Sequence, residues 1–156
     1  MKFHSDALVY LASPYTAPTA EERAARYHAA LKAARCLEGE GWMVFSPIAY
    51  GHQFAVEFAA PFDWDSWARL DQRLIRACDL LVVLCIDGWD RSRGVAAERE
   101  YAESLGKPVW GLLPGPDGYR LVKRADWAST ARVSSVTTNL HSSKTNLRVD
   151  DAPRPV

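Results

Sequence analysis

A chain of 156 residues with 48% hydrophobic content is long enough to bury one sizeable core, and a single domain is the default expectation. Its 19 basic and 19 acidic residues cancel, so the electrostatic footprint needed to bind a nucleic-acid polymer or an anionic membrane is missing. The opening segment "MKFHSDALVYLASPYT" has one short apolar run, broken by Ser13 and Pro14. It is too short for a bilayer span and unlike a secretory signal, so a cytoplasmic protein is expected.

Taken in chain order, "ALVYLA" (Ala7 to Ala12) predicts a first strand, ended by "SPYTAP". The next stretch, "TAEERAARYHAALKAARCLEGEG", predicts a helix with Thr19 and Glu22 spaced as a capping box. Its apolar stripe would be Tyr27, Ala30, Leu31, Ala34 and Leu37, with Gly39 or Gly41 as terminator. Trp42 to Pro47 predicts a second strand, and "IAYGHQFAVEFAAPFD" reads as a long loop rich in aromatics. A second helix over "DWDSWARLDQRLIRAC" puts Trp64, Trp67, Asp71, Leu74 and Cys78 on one side.

"DLLVVLC" is a continuous run typical of a strand buried on both faces, and "DGWDRSRG" is the loop that follows it. In the third helix Val95, Glu98, Ala102 and Leu105 recur at the spacing of one face, with Arg93, Arg99, Glu100 and Glu103 on the other sides. "PVWGLL" predicts a fourth strand before the breaker "PGPDG". Strands alternating with helices imply an α/β fold: a single-domain three-layer sandwich around a mainly parallel, flavodoxin/Rossmann-like sheet of four to five strands.

After Trp127 the composition shifts to Ser, Thr, Asn and Arg, so residues 1–127 read as the domain and 128–156 as a Ser/Thr-rich C-terminal tail, with short strands or a docking arm as the other reading. Cys36, Cys78 and Cys85 fall inside apolar patterns without metal-ligand spacing and read as small buried hydrophobes.

Two carboxylates, Asp71 and Glu98, interrupt apolar helix stripes, and a carboxylate there needs a reason. In an open parallel sheet, ligands bind outside the carboxyl ends of the strands, where strand order reverses. The loops there would gather Ser13, Pro14, Tyr15, Ser46, His52, Asp87, Trp89 and Ser92, with Glu98 beside a helix N-terminus that favours its ionised form. Two partly buried carboxylates among aromatics and hydroxyls suit cleavage of a glycosidic bond. The structural alternative pairs Glu98 with Arg69, Arg73 or Arg91, leaves Asp71 to bridge, and puts Trp64 and Trp67 in the core and His52 in a loop hydrogen bond. Neither G-x-G-x-x-G nor G-x-x-x-x-G-K-[ST] occurs, so no nucleotide cofactor is expected, and there is no G-x-S-x-G elbow.

The order and spacing of "VYLASPYT", "RLDQRLIRACDLLVVL" and "SRGVAAEREYAESLGKPV" resemble the nucleoside 2-deoxyribosyltransferase-like superfamily, over about Ala7 to Leu113. The likeness is strongest to its small bacterial and phage branch with a "GW..S.G...E" pattern, to which Trp89, Ser92, Gly94 and Glu98 conform. The resemblance implies cleavage of the N-glycosidic bond of nucleosides or nucleotides by Glu98. It makes Asp71 the aspartate that protonates the leaving base or orients the sugar, and Tyr10 the first-strand tyrosine that hydrogen-bonds the glutamate. Strand alternation sets Tyr10 opposite Val9 and Leu11, which fits.

Six residues before the glutamate, transferases of the superfamily tend to carry an aspartate for the sugar, and the 5′-monophosphate hydrolases a serine for the phosphate; here it is Ser92, flanked by Arg91 and Arg93. The reading that follows is a hydrolase, an N-glycosidase that releases free base from a (deoxy)nucleoside 5′-monophosphate. A base-exchanging nucleoside 2-deoxyribosyltransferase and a non-catalytic nucleotide-binding protein are the alternatives. The expected partner is a small nucleoside or nucleotide, and the resemblance implies a homodimer or higher homo-oligomer, because sites in the superfamily are often completed by a neighbouring subunit.

Overall fold

The computed structural model describes residues 6–129 and 146–149. Strand β1 (Leu8–Ala12) leads through a capping loop to helix α1 (Ala20–Gly39), then to β2 (Met43–Phe45), α2 (Pro47–Phe58) and α3 (Trp64–Ala77). Strand β3 (Leu80–Leu84), helix α4 (Arg93–Ser104) and strands β4 (Val109–Gly115) and β5 (Gly118–Lys123) follow, then a 3-10 helix (Arg124–Ser129) and β6 (Asn146–Val149). The sheet order is β2-β1-β3-β4-β5-β6, with β1 to β4 parallel and the last two strands reversed. No helix of the described residues is long and apolar enough to cross a membrane.

Period-2 alternation sorts the sheet into two packed faces. Val9, Leu11, Leu80, Val82 and Leu84 turn to one side, where Ala33 and Leu37 of α1 meet them. Tyr10, Ala12, Leu81 and Val83 turn to the other, against Ile75 of α3 and Val95 and Ala102 of α4. The result is the expected three-layer α/β sandwich with a mostly parallel sheet.

Several local expectations differ from the structure. The stretch after the second strand is a helix, α2, and not a loop. Ser46 caps it by accepting a hydrogen bond from Ala49 N at 3.2 Å, Pro47 supplies the first turn, and Ala59 ends it in the left-handed region at φ 51°. Its dense aromatics and Gly51 hid this start signal. On α1 the capping box of Thr19 and Glu22 forms, and Gly41, at φ 92°, turns the chain beyond it. The buried stripe is made by Ala30, Ala33, Cys36 and Leu37, while Leu31 is 38% exposed. A face of small residues lets the helix approach the sheet closely, so it is shifted from the one marked by the larger side chains.

The sheet has six strands where four or five were expected. "GYRLVK" is short and mixed in polarity, yet it closes a hairpin with β4 through the pair Gly115 and Gly118. β6 lies inside the stretch read as a tail and adds itself parallel to β5, Tyr119 opposite Leu147. The rest of that stretch lies outside the described residues.

Candidate active site

From β1 the chain crosses to β2 on one side, then returns past β1 to β3 on the other, so strand order reverses between β1 and β3. Loops leaving two such strands diverge to opposite faces and open a crevice at their carboxyl ends. A cavity of about 490 Å³ occupies this place.

Glu98 and Asp71 both line it. Ser92 caps α4 by accepting from Val95 N at 3.3 Å, which starts the helix in the phase that turns Val95, Glu98 and Ala102 inward. On α3, capped by Asp63 through Ser66 N at 3.1 Å, the same logic turns Asp71 and Ile75 inward. Glu98 is 5% and Asp71 4% exposed. From β1, Tyr10 reaches between the helices, and its hydroxyl donates to Glu98 Oε1 at 2.7 Å.

Burial pushes the Glu98 carboxyl up to about 8; the Tyr10 hydrogen bond opposes this and the Asp71 charge adds to it. Burial likewise pushes Asp71 up to about 6, with the Tyr10 hydroxyl opposing. Burial and the two carboxylates drive the Tyr10 phenol well above its ordinary value. The helix N-terminus was expected to keep Glu98 ionised, but Glu98 is the sixth residue of α4, beyond the first turn where the dipole acts, and burial prevails. Around neutral pH the two carboxyls together hold one proton. Asp71 Oδ1 is buried and has no hydrogen-bond partner.

Of the other residues singled out in the sequence, Ser13 and Tyr15 line the cavity from the β1–α1 loop, His52 from α2, and Ser92 and Gly94 from the start of α4. Tyr10 stands behind Glu98. Four are not in the wall: Pro14 is buried beside it, Ser46 is engaged as the α2 cap, Asp87 is an exposed partner of Arg91, and Trp89 packs edge-on to Trp127 at 5.1 Å. Trp64 and Trp67, equally readable as core, line the cavity, and Trp67 lies over Gly51, where a Cβ would be 3.7 Å from its ring. Arg91, a possible partner for Glu98, pairs instead with Asp87 at 3.3 Å and Asp90 at 3.7 Å.

His52 Nδ1 and the Tyr15 hydroxyl are 2.7 Å apart, and the imidazole stacks on Tyr27 at 4.0 Å. Burial first, then the charges of His28 and Arg23, lowers its pKa, so the ring is neutral at neutral pH. Arg26 and Phe62 also line the cavity and were not singled out. An arginine within "EERAARYHAA" looks like a solvated helix residue, and only the packing of α1 against the β3–α4 loop turns it inward. No group of three or more His, Cys, Asp or Glu that could hold a metal ion occurs among the described residues.

The fold and the buried carboxylate pair define an α/β protein with a small-molecule crevice at its switch point. The chain belongs to the family described as domain of unknown function DUF1937, whose model matches residues 7–112, from just before β1 into β4. A solved 2-deoxyribosyltransferase from the psychrotolerant bacterium Bacillus psychrosaccharolyticus is 32% identical over 70% of this chain and 74% of that one, at a TM-score of 0.49. Identity and coverage, not the superposition, place the chain in the nucleoside 2-deoxyribosyltransferase-like superfamily. No curated protein matches it significantly.

Proposed function

We propose that the protein is a glycosyl-transfer enzyme that breaks the N-glycosidic bond of a nucleoside with Glu98 as nucleophile and passes the sugar to a second base. The observation that carries the reading is the Tyr10–Glu98 hydrogen bond of 2.7 Å beside the Asp71 carboxyl, whose Oδ1 has no partner, in one cavity. Tyr10 occupies Oε1, which leaves Oε2 to attack C1′. Binding a base whose ring nitrogen accepts from Asp71 draws the shared proton to Asp71 and leaves the charge on Glu98. Attack then forms the Glu98–C1′ ester as the C1′–N bond breaks, and Asp71 gives its proton to the departing nitrogen. In the second half an acceptor base loses its proton to Asp71 as it displaces Glu98. Trp64 and Trp67 offer apolar faces to the base.

Base exchange is the form of the reaction for which the 32% identical relative is named. Hydrolysis of a 5′-monophosphate, with water as the acceptor, is the second reading, favoured by the position of Ser92 at the N-terminus of α4 in the cavity wall. A pair of copies belongs to the same proposal: Tyr50, Phe54 and Phe58 form an exposed apolar stripe along α2 that continues into the cavity wall through Trp67. A solution mass of at least twice the 17.4 kDa chain is expected, reduced in Phe54→Glu.

The test is free-base release from a panel of nucleosides and their 5′-monophosphates, with and without a second base, by wild type and Glu98→Ala. Exchange that requires the added base supports the transferase, and release from monophosphates in water alone supports the hydrolase. Glu98→Ala should lose at least about 10³-fold in rate. Full activity in that variant overturns the assignment.

A further inference from the structure

We propose that His52 is a specificity-determining hydrogen-bond donor: its Nε2–H reads the exocyclic group beside N7 of a purine and so selects an oxo over an amino group there. The inference rests on the nucleoside reading of the cavity and names the base that the cavity takes. His52 lines the cavity from α2 and is 8% exposed, yet only one of its two ring nitrogens is engaged. Nδ1 lies 2.7 Å from the Tyr15 hydroxyl, and Nε2, open to the cavity, has no hydrogen-bond partner among the described residues. The ring is held in place: it stacks on Tyr27 at 4.0 Å and 16°, and Tyr15 meets it edge-on at 5.7 Å and 85°. A polar atom fixed by such contacts in the wall of a cavity is pre-organised for a ligand.

Which nitrogen carries the proton follows from the bond that the other one makes. The imidazole is neutral at neutral pH, and burial, opposed by the Arg23 charge, raises the Tyr15 phenol above its ordinary value, so the hydroxyl keeps its proton. Between a phenol and a neutral imidazole, the phenol is the stronger acid and the bare ring nitrogen the stronger base. Tyr15 O–H therefore donates to Nδ1, the ring hydrogen sits on Nε2, and His52 offers the cavity a donor and no acceptor.

The place of that donor identifies what it meets. Gly51, the residue before His52, brings α2 against the Trp67 ring, so His52 enters the cavity beside the indole that takes the face of the base, on the helix opposite Asp71. With the faces covered, an edge of the base is left for His52. In the mechanism above Asp71 hydrogen-bonds a ring nitrogen of the base, and when that nitrogen is N7 of a purine, the same edge carries the group on C6. That group is an acceptor oxygen in guanine and hypoxanthine and an amino donor in adenine. An N–H facing the oxygen is paired, whereas an N–H facing the amino group leaves two donors unpaired in a site closed to water.

The test compares equilibrium binding of deoxyinosine with deoxyadenosine, and of deoxyguanosine with 2,6-diaminopurine 2′-deoxyriboside, in a Glu98→Gln background that does not consume them. The members of each pair match in shape and exchange an acceptor for a donor at C6. We expect the oxo member to bind at least about tenfold more tightly, and His52→Phe, which keeps a flat ring against Tyr27, to bring each pair to within about twofold. Tyr15→Phe should lower the preference without abolishing it, because the ring loses the bond that fixes its proton. A preference that survives His52→Phe overturns the proposal. A second measurement needs no ligand: long-range proton–nitrogen correlation NMR should show the His52 ring, identified by its loss in His52→Phe, protonated at Nε2, and a proton on Nδ1 overturns the donor assignment. Equal binding within the pairs overturns the role of His52 alone, whereas failure of all four nucleosides to bind overturns the nucleoside reading of the cavity and this inference with it.

Discussion

Glu98 and Asp71 are acids whose surroundings set them apart, at about 8 and about 6, and their rate profile is a property of the pair. The form with one proton is the reactive one in the proposed mechanism, so kcat/KM should be bell-shaped, falling below about 6 and above about 8. Tyr10→Phe deletes the hydrogen bond that favours both ionised carboxyls. Both limbs should then move to higher pH, with a rate loss of roughly 10–100-fold. A profile that stays in place while the rate falls would show that Tyr10 acts only by packing.

At the scale of elements, the neighbours of the site depend on packing at a distance from it. Trp127 in the 3-10 helix covers Gly111 of β4 so closely that a Cβ there would be 2.7 Å from its Nε1 and 3.2 Å from Val122 Cγ2. Gly111→Ala should therefore cost about 1–3 kcal/mol in denaturant unfolding, the range for overpacked cores. An unchanged midpoint would mean that Trp127 shifts freely.

What was legible in the sequence follows from the same physics. Strands β1, β3 and β4, the cap at Thr19 and the inward Glu98 and Asp71 were readable because burial on one face leaves a period in the chain. Helix α2 was not, because its start rests on one Ser-Pro pair within an aromatic stretch. Arg26 was not either, since its place depends on a loop 62 residues further along, and no local pattern records such a contact. Trp64 and Trp67 could be placed on a face, but not on the cavity side of it, because core and cavity wall show the same period.

For the whole molecule, the buried acids link folding to pH. Glu98 binds its proton more tightly folded than unfolded, since its value rises from 4.5 to about 8. Its contribution to stability is complete below about 4.5 and is lost as pH rises through about 8, because the native state must then bury a charge. At roughly 1.4 kcal/mol per pKa unit this is a loss of a few kcal/mol. Glu98→Gln should consequently be more stable than wild type at pH 9 by several degrees in Tm, and show little difference at pH 4. Parallel melting curves of the two proteins at both values check this, and equal shifts at both would detach Glu98 from the effect.

The edge-on packing of Trp89 against Trp127, at 5.1 Å and 88°, joins the loop that carries Gly88 to the far end of the domain. Two indoles so close exchange excitation, so the pair gives the protein an intrinsic optical signal in circular dichroism. A ligand that shifts the β3–α4 loop would change that coupling, so binding at the crevice is expected to be readable without a label as a change in the near-ultraviolet circular dichroism.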